Sequence, residues 1–293
     1  MTKRASAARR PRAHRPPASG AAPRGASDGA DPLALARRLR QQLRARAHLY
    51  GAWMSIGHPE IAAIFARATG DFLGIDLEHT TIELSTSQAI IRACHEAGRA
   101  CLPRMFPDNL EQMRRLLDAG ADGVIVPQIA TAGQIDRVVE ALRYPPQGKR
   151  GFGVAGAQYY GRAFDAYVRG ANAALSLIVQ VETIDAVERI EEIVRHPAVD
   201  GLMVGPYDLS GSLGIPGDLT NPRVREACGR VVRACADASM SCGLHLVYPT
   251  VEEIRRELAA GFSFLVLGSD IFNLWRRSVD VDQMIAAAQR PEP

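Results

Sequence analysis

Five polar residues of the sequence stand at or directly after apolar runs of the kind that form strands: His79, Arg104, Gln180, Glu182 and Asp208. Glu182 and Asp208 are carboxylates that belong to neighbouring runs. Two carboxylates together with water suit a hard divalent cation such as Mg²⁺ or Mn²⁺ and leave coordination positions for substrate oxygens. A pair of acids in metal-free general acid–base chemistry uses the same residue types, and so do two solvated surface acids. The residue types alone leave these three interpretations open.

Lysine usage narrows the carbonyl chemistry that the chain could carry out. The sequence contains only Lys3 and Lys149, and neither falls on a predicted strand. A Schiff-base mechanism needs a desolvated amine beside the substrate carbonyl, so the sequence disfavours both that route and pyridoxal phosphate. If the protein makes a carbanion, a metal acting as Lewis acid must hold the enolate oxygen.

Short apolar runs alternate with amphipathic stretches along most of the chain, and this alternation predicts the elements that position those residues. The predicted strands are 52–55, 72–76, 100–104, 123–126, 175–181, 201–204, 241–246 and 262–267. Eight such units over about 240 residues predict a (β/α)8 TIM barrel, with a doubly wound sheet as the alternative. A helix over 32–44, capped by Asp31, precedes the first strand. Further helices are expected at 109–119 and 183–195. Segment 143–174 interrupts the rhythm and has the length of an active-site loop.

Composition limits the class of protein. The chain has 293 residues, 47% of them hydrophobic, and a formal net charge of +3. Disorder of the whole chain is therefore excluded. No apolar run reaches the roughly 18 residues of a membrane span and no apolar signal region is present, so we expect a cytoplasmic protein with no membrane partner. Residues 1–31 carry seven basic and two acidic residues and predict a disordered basic tail, with a polyanion-binding arm or a transit peptide as the alternatives. The barrel domain is expected over 32–290. The five cysteines form no C-x-x-C pair and are expected to be buried thiols.

Two motifs in the sequence lack the context that their usual function requires. Gly151 to Gly156 match G-x-G-x-x-G but follow a proline-rich turn instead of a strand, which argues against dinucleotide binding. Gly25 to Gly29 match G-x-S-x-G but lie in the predicted tail, where no strand would present the serine. Neither a Walker A motif nor a nucleic-acid module is present, so no nucleic-acid partner is expected.

Several ordered motifs together resemble the HpcH/HpaI aldolase family, the metal-dependent pyruvate aldolases. The resemblance spans about residues 51–274 and rests on GAWMSIGHPE, FLGIDLEH, LPRMF, LLDAGADGVIVPQI, PPQGKRGFG, IVQVET, VGPYDLSGSLGIPG and GFSFLVLGSD. It implies a (β/α)8 barrel whose eighth helix is exchanged between subunits of a homo-oligomer, commonly a hexamer built as a trimer of dimers.

The resemblance also implies roles for particular residues. Glu182 and Asp208 would be the ligands of a divalent metal ion, Mg²⁺ or Mn²⁺ with Co²⁺ also compatible. The pyruvate portion of the substrate would be bound by a further group of residues: Gln180, Gly205, Pro206, Tyr207 and Trp53, the last of these near the pocket wall.

The resemblance implies three catalytic residues. His79 would be the base, and Arg104 would hold the substrate oxygens and stabilise developing negative charge. Asp118 would raise the basicity of the histidine. Because barrel helices run away from the catalytic face, Asp118 is expected at the wrong end of its own subunit. It would then assist a neighbouring chain, and pairing with Arg114 or Arg115 is the structural alternative.

The reaction implied is cleavage or formation of a carbon–carbon bond of a 4-hydroxy-2-oxo acid, with pyruvate or another 2-oxo acid and an aldehyde as substrates. Oxaloacetate decarboxylation and macrophomate-synthase-like bond formation are alternatives on the same barrel. An inactive barrel that acts as a binding module is the alternative outside enzymes. The bulky Tyr207, Ile56 and His58 depart from the small residues expected there and affect the substrate more than the reaction class.

Overall fold

The structure is a computed structural model that describes residues 31–68 and 70–290. Eight parallel strands pair in sequence order, and β8 closes onto β1, which confirms the (β/α)8 barrel. The strands are β1 (Leu49–Met54), β2 (Phe72–Asp76), β3 (Ala100–Arg104), β4 (Gly123–Val126), β5 (Ser176–Val181), β6 (Gly201–Val204), β7 (Ser241–Leu246) and β8 (Phe264–Ser269). The predicted tail, apart from Asp31, lies outside the described residues. The domain boundary therefore stays a prediction.

Twelve α-helices occur within the described residues. They are α1 (Ala34–Arg44), α2 (Pro59–Ala68), α3 (Leu84–Glu96), α4 (Leu110–Ala119), α5 (Ala132–Leu142), α6 (Phe164–Ala174), α7 (Ile184–Glu188), α8 (Ile190–Val194), α9 (Pro206–Ser212), α10 (Pro222–Asp237), α11 (Val251–Ala260) and α12 (Asp270–Ala288). Helix α1 starts two residues later than predicted, because Asp31 accepts the backbone N–H of Leu33 in a turn that precedes the helix. The helix expected at 183–195 is divided at Arg189 into α7 and α8.

Helix α1 closes the end of the barrel at which the strands begin. Its Leu39 and Leu43 pack with the apolar side chains inside the barrel, including Phe72 and Phe264. The buried Asp200 joins the helix to the sheet, with Oδ1 lying 2.9 Å from Arg40 Nε and 2.7 Å from Arg44 Nε. Its Oδ2 accepts the backbone N–H of Leu177 at 3.1 Å. Helix α1 therefore forms a plug at this end of the barrel, and it is held by apolar packing and by a buried carboxylate with several donors.

The expectation that segment 143–174 forms an active-site loop is wrong for a single chain. The segment joins α5 to β5, and a helix-to-strand connection lies at the end of the barrel opposite the catalytic face. Arg150, only 1% exposed, lies 4.6 Å from the Tyr144 ring centroid and 5.5 Å from that of Tyr167. Its Nη2 forms an ion pair with Asp118 Oδ1 at 2.7 Å. The segment is long because it contains α6 as well as this packed cluster.

Helix α12 continues from β8 without covering the barrel wall. Asp270 is its only buried residue, whereas large apolar side chains recur at helical spacing on its exposed surface: Ile271, Leu274, Trp275, Val281, Met284 and Ile285. The neighbouring α11 has no buried residue either. A helix with an exposed apolar stripe has a surface suited to packing against another element.

Within residues 31–68 and 70–290, no helix is long and apolar enough to cross a lipid bilayer.

Candidate active site

The side chains at the open end of the barrel follow from strand alternation. Successive residues of a strand point to opposite faces, and the side chains inside the barrel include Phe72 on β2 and Ile178 on β5. Gln180, two residues after Ile178, is 3% exposed, and Asp76, four residues after Phe72, is 5% exposed. Both even spacings place these side chains on the same inner face. The carboxyl ends of the strands therefore present a layer of polar groups above an apolar interior, at the open end of the barrel that we call the mouth.

Arg104, the last residue of β3, is the best-fixed cation of this layer. Its Nε and Nη2 donate to the two carboxylate oxygens of Asp76 at 3.2 and 2.8 Å. Nε also lies 3.3 Å from Oε2 of Glu78, and the guanidinium stands 4.9 Å from the Trp53 ring centroid. A two-point pair of this kind fixes the plane of the guanidinium. Its remaining N–H groups are then available to a negatively charged ligand.

Asp76 also fixes the turn that carries the predicted base. Its Oδ1 accepts the backbone N–H groups of Glu78 and His79 at 3.1 and 3.2 Å. The His79 side chain is 60% exposed, and its Nε2 lies 3.6 Å from Glu78 Oε2. Burial raises the pKa of Glu78, although the charges of Arg104 and His79 lower it. The imidazole is therefore accessible at the mouth, beside a buried carboxyl group.

Glu182 is a buried carboxylate directly after β5. Its Oε1 accepts the backbone N–H of Gln128 at 2.7 Å, and its Oε2 accepts a hydrogen bond from Gln180 Nε2. A Cβ at Gly205 would lie 2.9 Å from Glu182 Cβ, so only glycine fits beside it. The pKa of Glu182 is raised to about 7, mainly by burial and also by the nearby carboxylates of Asp208 and Glu78, while the two hydrogen bonds act in the opposite direction.

Asp208 and Tyr207 lie in the first turn of α9, which starts at Pro206. Asp208 is exposed, and its charge reaches Glu182, because β5 and β6 are neighbours in the barrel. Tyr207 is 66% exposed, and its hydroxyl would lie 3.4 Å from a Cβ at Gly217. The tyrosine thus stands at the rim of the mouth next to one of the two acids.

The carboxylate oxygens of Glu182 and Asp208 at the mouth are of the kind that coordinates a hard divalent cation. Within the described residues no group of three or more His, Cys, Asp or Glu side chains is clustered as a metal site, so a cation on Glu182 and Asp208 would need oxygens from water or substrate. The buried Gln180 Oε1 has no hydrogen-bond partner and is one further oxygen beside Glu182. A positive charge would also offset the repulsion that raises the pKa of Glu182.

Asp118 is the one predicted site residue that the fold places away from the others in its own chain. It lies near the end of α4, next to segment 143–174, and its ion-pair partner is Arg150 instead of the expected Arg114 or Arg115. Its side chain remains 27% exposed. Helix α4 runs back from the catalytic face, so His79 and Asp118 of one chain are at opposite ends of the barrel.

Sequence reasoning left several mouth residues without a role. Asp76 and Glu78 stand in the same DLEH run as His79, and Gln128 follows β4, so position after a strand was a usable signal. His245 near the end of β7 gave no such signal, because it stands inside an apolar run. In the described structure its Nε2 is buried without a hydrogen-bond partner, as is Glu78 Oε2.

Comparison with known proteins gives a consistent result. The model of the HpcH/HpaI aldolase/citrate lyase family matches residues 49–276. A hydroxypyruvate/pyruvate aldolase of Paraburkholderia phytofirmans is 34% identical over 245 residues, which cover 81% of this chain and 93% of that protein. A 2-keto-3-deoxy-L-rhamnonate aldolase of Klebsiella pneumoniae is 34% identical over 232 residues, which cover 78% and 85% of the two chains.

Among solved structures, a HpcH/HpaI aldolase/citrate lyase family protein from Burkholderia cenocepacia superposes with a TM-score of 0.80 at 32% identity. The match covers 85% of this chain and 99% of that one.

Proposed function

Because the chain belongs to the HpcH/HpaI aldolase/citrate lyase family, and is accordingly a carbon–carbon lyase of the aldolase type, we propose a specific reaction for it. The enzyme cleaves and forms the C3–C4 bond of a 4-hydroxy-2-oxo acid, with a pyruvate-type enolate as intermediate and an aldehyde as the other product. The observation that carries the proposal is the buried Glu182, set beside Asp208 and within one layer of Arg104. The physiological aldehyde stays open.

A divalent metal ion is part of this proposal. Glu182 and Asp208 would hold Mg²⁺ or Mn²⁺, with Co²⁺ also compatible, and the bound ion would act as Lewis acid for the oxygens of the 2-oxo acid. Gln180 would bind the same end of the substrate together with the backbone at Gly205, Pro206 and Tyr207.

Arg104 would supply the main electrostatic stabilisation from the protein. Asp76 and Trp53 already hold its guanidinium, so donating to an oxygen that gains negative charge requires little reorganisation. The Trp53 ring would form one wall of the pocket. A neutral residue or a lysine at position 104 could not reproduce both the two-point hydrogen bonding to Asp76 and the stacking on the Trp53 ring.

In the cleavage direction, His79 would accept the proton of the C4 hydroxyl, directly or through water. The C4–O bond becomes a carbonyl, the C3–C4 bond breaks, and its electron pair moves into the enolate of the 2-oxo acid. A proton added at C3 then completes pyruvate. Aldol addition is the reverse sequence. The exposure of His79 suits proton exchange with solvent.

Exchange of the pyruvate methyl protons tests the enolate independently of the aldehyde. Wild-type enzyme with Mg²⁺ in D₂O should lose the methyl proton signal of pyruvate, and chelator should stop the exchange. Glu182→Gln and Asp208→Asn should be inactive, whereas Asp237→Asn, at an exposed acid at the far end of α10, should match wild type. Full exchange of the methyl protons in the presence of chelator would refute metal dependence. Absence of exchange by the wild-type enzyme with metal would favour a binding module.

We further propose that the active enzyme is a homo-oligomer, with a hexamer made of three dimers as the expected form. The apolar stripe of α12 supports an exchange of this helix between subunits, and the exposed part of Asp118 is available to another chain's His79. Light scattering on the full chain tests the state, and a Trp275→Asp variant should dissociate it. A wild-type monomer with full activity would refute this assembly.

A further inference from the structure

His245 faces the inside of the barrel at the level of the catalytic groups. On β7, Ser241 donates to the Leu43 carbonyl of the plug, and a Cβ at Gly243 would lie 2.0 Å from the Phe264 ring. Both residues therefore point inward, and alternation places His245 next on the same face. Its ring centroid lies 5.5 Å from that of Trp53, which confirms this direction.

The register of the strands locates His245 relative to Glu182. Gln180 pairs with Met203, and Met203 pairs with Gly243. Two residues later in each segment, the same register places Glu182, Gly205 and His245 at one level. Gly205 has no side chain, so no group on the strand between them separates Glu182 from His245. The imidazole is thus at the height at which a bound 2-oxo acid would lie.

The two ring nitrogens of His245 have different surroundings. One is hydrogen-bonded to the backbone of Gly268, where the available acceptor is the carbonyl. Nε2 is buried without a partner among the described residues, so the bonded nitrogen is Nδ1. Burial lowers the pKa of His245 to about 4, and the charge of Arg104 lowers it as well, while Asp76 and Gly268 act in the opposite direction. A neutral ring whose Nδ1 holds the proton has a bare acceptor at Nε2.

A purely structural role does not explain this arrangement. Leucine or methionine would fill the same space between Trp53 and Gly268 without leaving a buried acceptor unmatched. The residue as a whole is partly exposed, although its Nε2 is shielded from water. A shielded acceptor gains more from an added donor than an exposed one does. Two N–H groups of Arg104 donate to Asp76, and no group within the described residues donates to His245 Nε2.

We propose that His245 Nε2 accepts a hydrogen bond from a hydroxyl group of the substrate and makes the enzyme selective for hydroxylated substrates. This inference rests on the proposed function and deepens it. The hydroxyl belongs either to C3 of a 3-hydroxy-2-oxo acid or to the carbon next to the carbonyl of a hydroxyaldehyde. Both sources offer the same O–H donor to the same acceptor.

Two substrate pairs distinguish the sources. Hydroxypyruvate against pyruvate, with one fixed aldehyde, tests the 2-oxo acid, and glycolaldehyde against acetaldehyde, with pyruvate, tests the aldehyde. Each pair is measured as a ratio of kcat/KM for wild type, His245→Leu, His245→Gln and His48→Leu. The last is a matched control at an exposed histidine just before β1, at the opposite end of the barrel.

Wild type should favour the hydroxylated member of one pair. His245→Leu should reduce that ratio by about 10- to 100-fold, the range that corresponds to the loss of one hydrogen bond to a shielded group. His245→Gln, which keeps an acceptor, should recover part of the ratio, and His48→Leu should leave it unchanged. A change in the first pair assigns the hydroxyl to the 2-oxo acid, and a change in the second assigns it to the aldehyde.

Equal losses on both members of both pairs would show that His245 only packs against Trp53, and would overturn the inference. So would a wild-type enzyme without selectivity in either pair. Failure of the proposed function is separately visible as absence of pyruvate proton exchange. In that case, calorimetric binding of hydroxypyruvate and pyruvate to wild type and His245→Leu still decides whether the hydroxyl is recognised.

Discussion

Asp270 joins the start of α12 to the loop after β1 and provides a sharp test of how the mouth is held. The carboxylate is 2% exposed. It accepts the backbone N–H of Ser55 at 2.9 and 3.1 Å through its two oxygens, that of Ile56 at 2.8 Å and that of Ile271 at 2.8 Å. Three backbone donors thus depend on one side chain.

The cost of replacing Asp270 follows from these bonds. Asp270→Asn keeps the volume and one acceptor oxygen, but places an NH₂ group against the N–H of Ile56. We expect the free energy of unfolding to fall by about 1–3 kcal/mol, the range for one buried donor left unmatched. Asp270→Ala leaves all three donors without a partner, and we expect a loss of about 3–5 kcal/mol.

Urea unfolding of the two variants measures this loss, with Asp237→Asn as a control that should stay within about 0.5 kcal/mol of wild type. Because the loop after β1 borders the mouth, Asp270→Asn should also raise KM while proton exchange persists. If both variants unfold at the wild-type urea concentration, the three backbone donors do not need the carboxylate, and the reasoning is refuted.

Three further predictions concern other groups. Removal of the metal, by chelator or by Glu182→Gln, should lower pyruvate proton exchange by at least about 100-fold, and exchange by the variant at the wild-type rate under limiting Mg²⁺ would contradict the assignment of Glu182 as a ligand. Arg104→Lys should lower kcat/KM by about 100-fold in steady-state assays, because lysine cannot donate as a planar fork; a loss below threefold would remove its role in stabilising the enolate. The hydrogen bond and charge of the adjacent Asp122 raise the pKa of His95, although burial alone would lower it. A histidine with a raised pKa stabilises the fold at pH values below the ordinary histidine range, and this contribution is lost as the pH rises through the raised value. The difference in unfolding free energy between wild type and His95→Gln should therefore shrink from pH 6 to pH 8.5. Parallel plots of unfolding free energy against pH for the two proteins would be the contrary result.

The barrel could be predicted because each of its strands is a short apolar run, and buried parallel strands are continuous apolar runs. The bounds of β2, β3, β4, β6 and β7 agree with the prediction, since turn residues or charges mark their ends. Strand β1 begins three residues earlier than expected, and β8 ends two residues later, because these strands pair across a register shift that only the closed barrel defines.

The groups after the strands could also be predicted, because a barrel brings all of its strand ends together. The contacts between these groups could not. Nothing in the sequence connects Asp76 with Arg104 or Asp270 with Ser55, since these pairs form only when distant segments become neighbours. Segment 143–174 shows the same limit, because its length resembled that of a functional loop whereas its position after a helix sends it to the other end.

The plug formed by α1 stabilises the end of the barrel that lies away from the catalytic groups. This stabilisation comes from Leu39, Leu43 and the ion pairs of Asp200, and it does not depend on which residues stand at the mouth. An engineer who wishes to reshape the acceptor pocket, and who loses stability in doing so, can therefore look for compensation in this helix without disturbing the reaction.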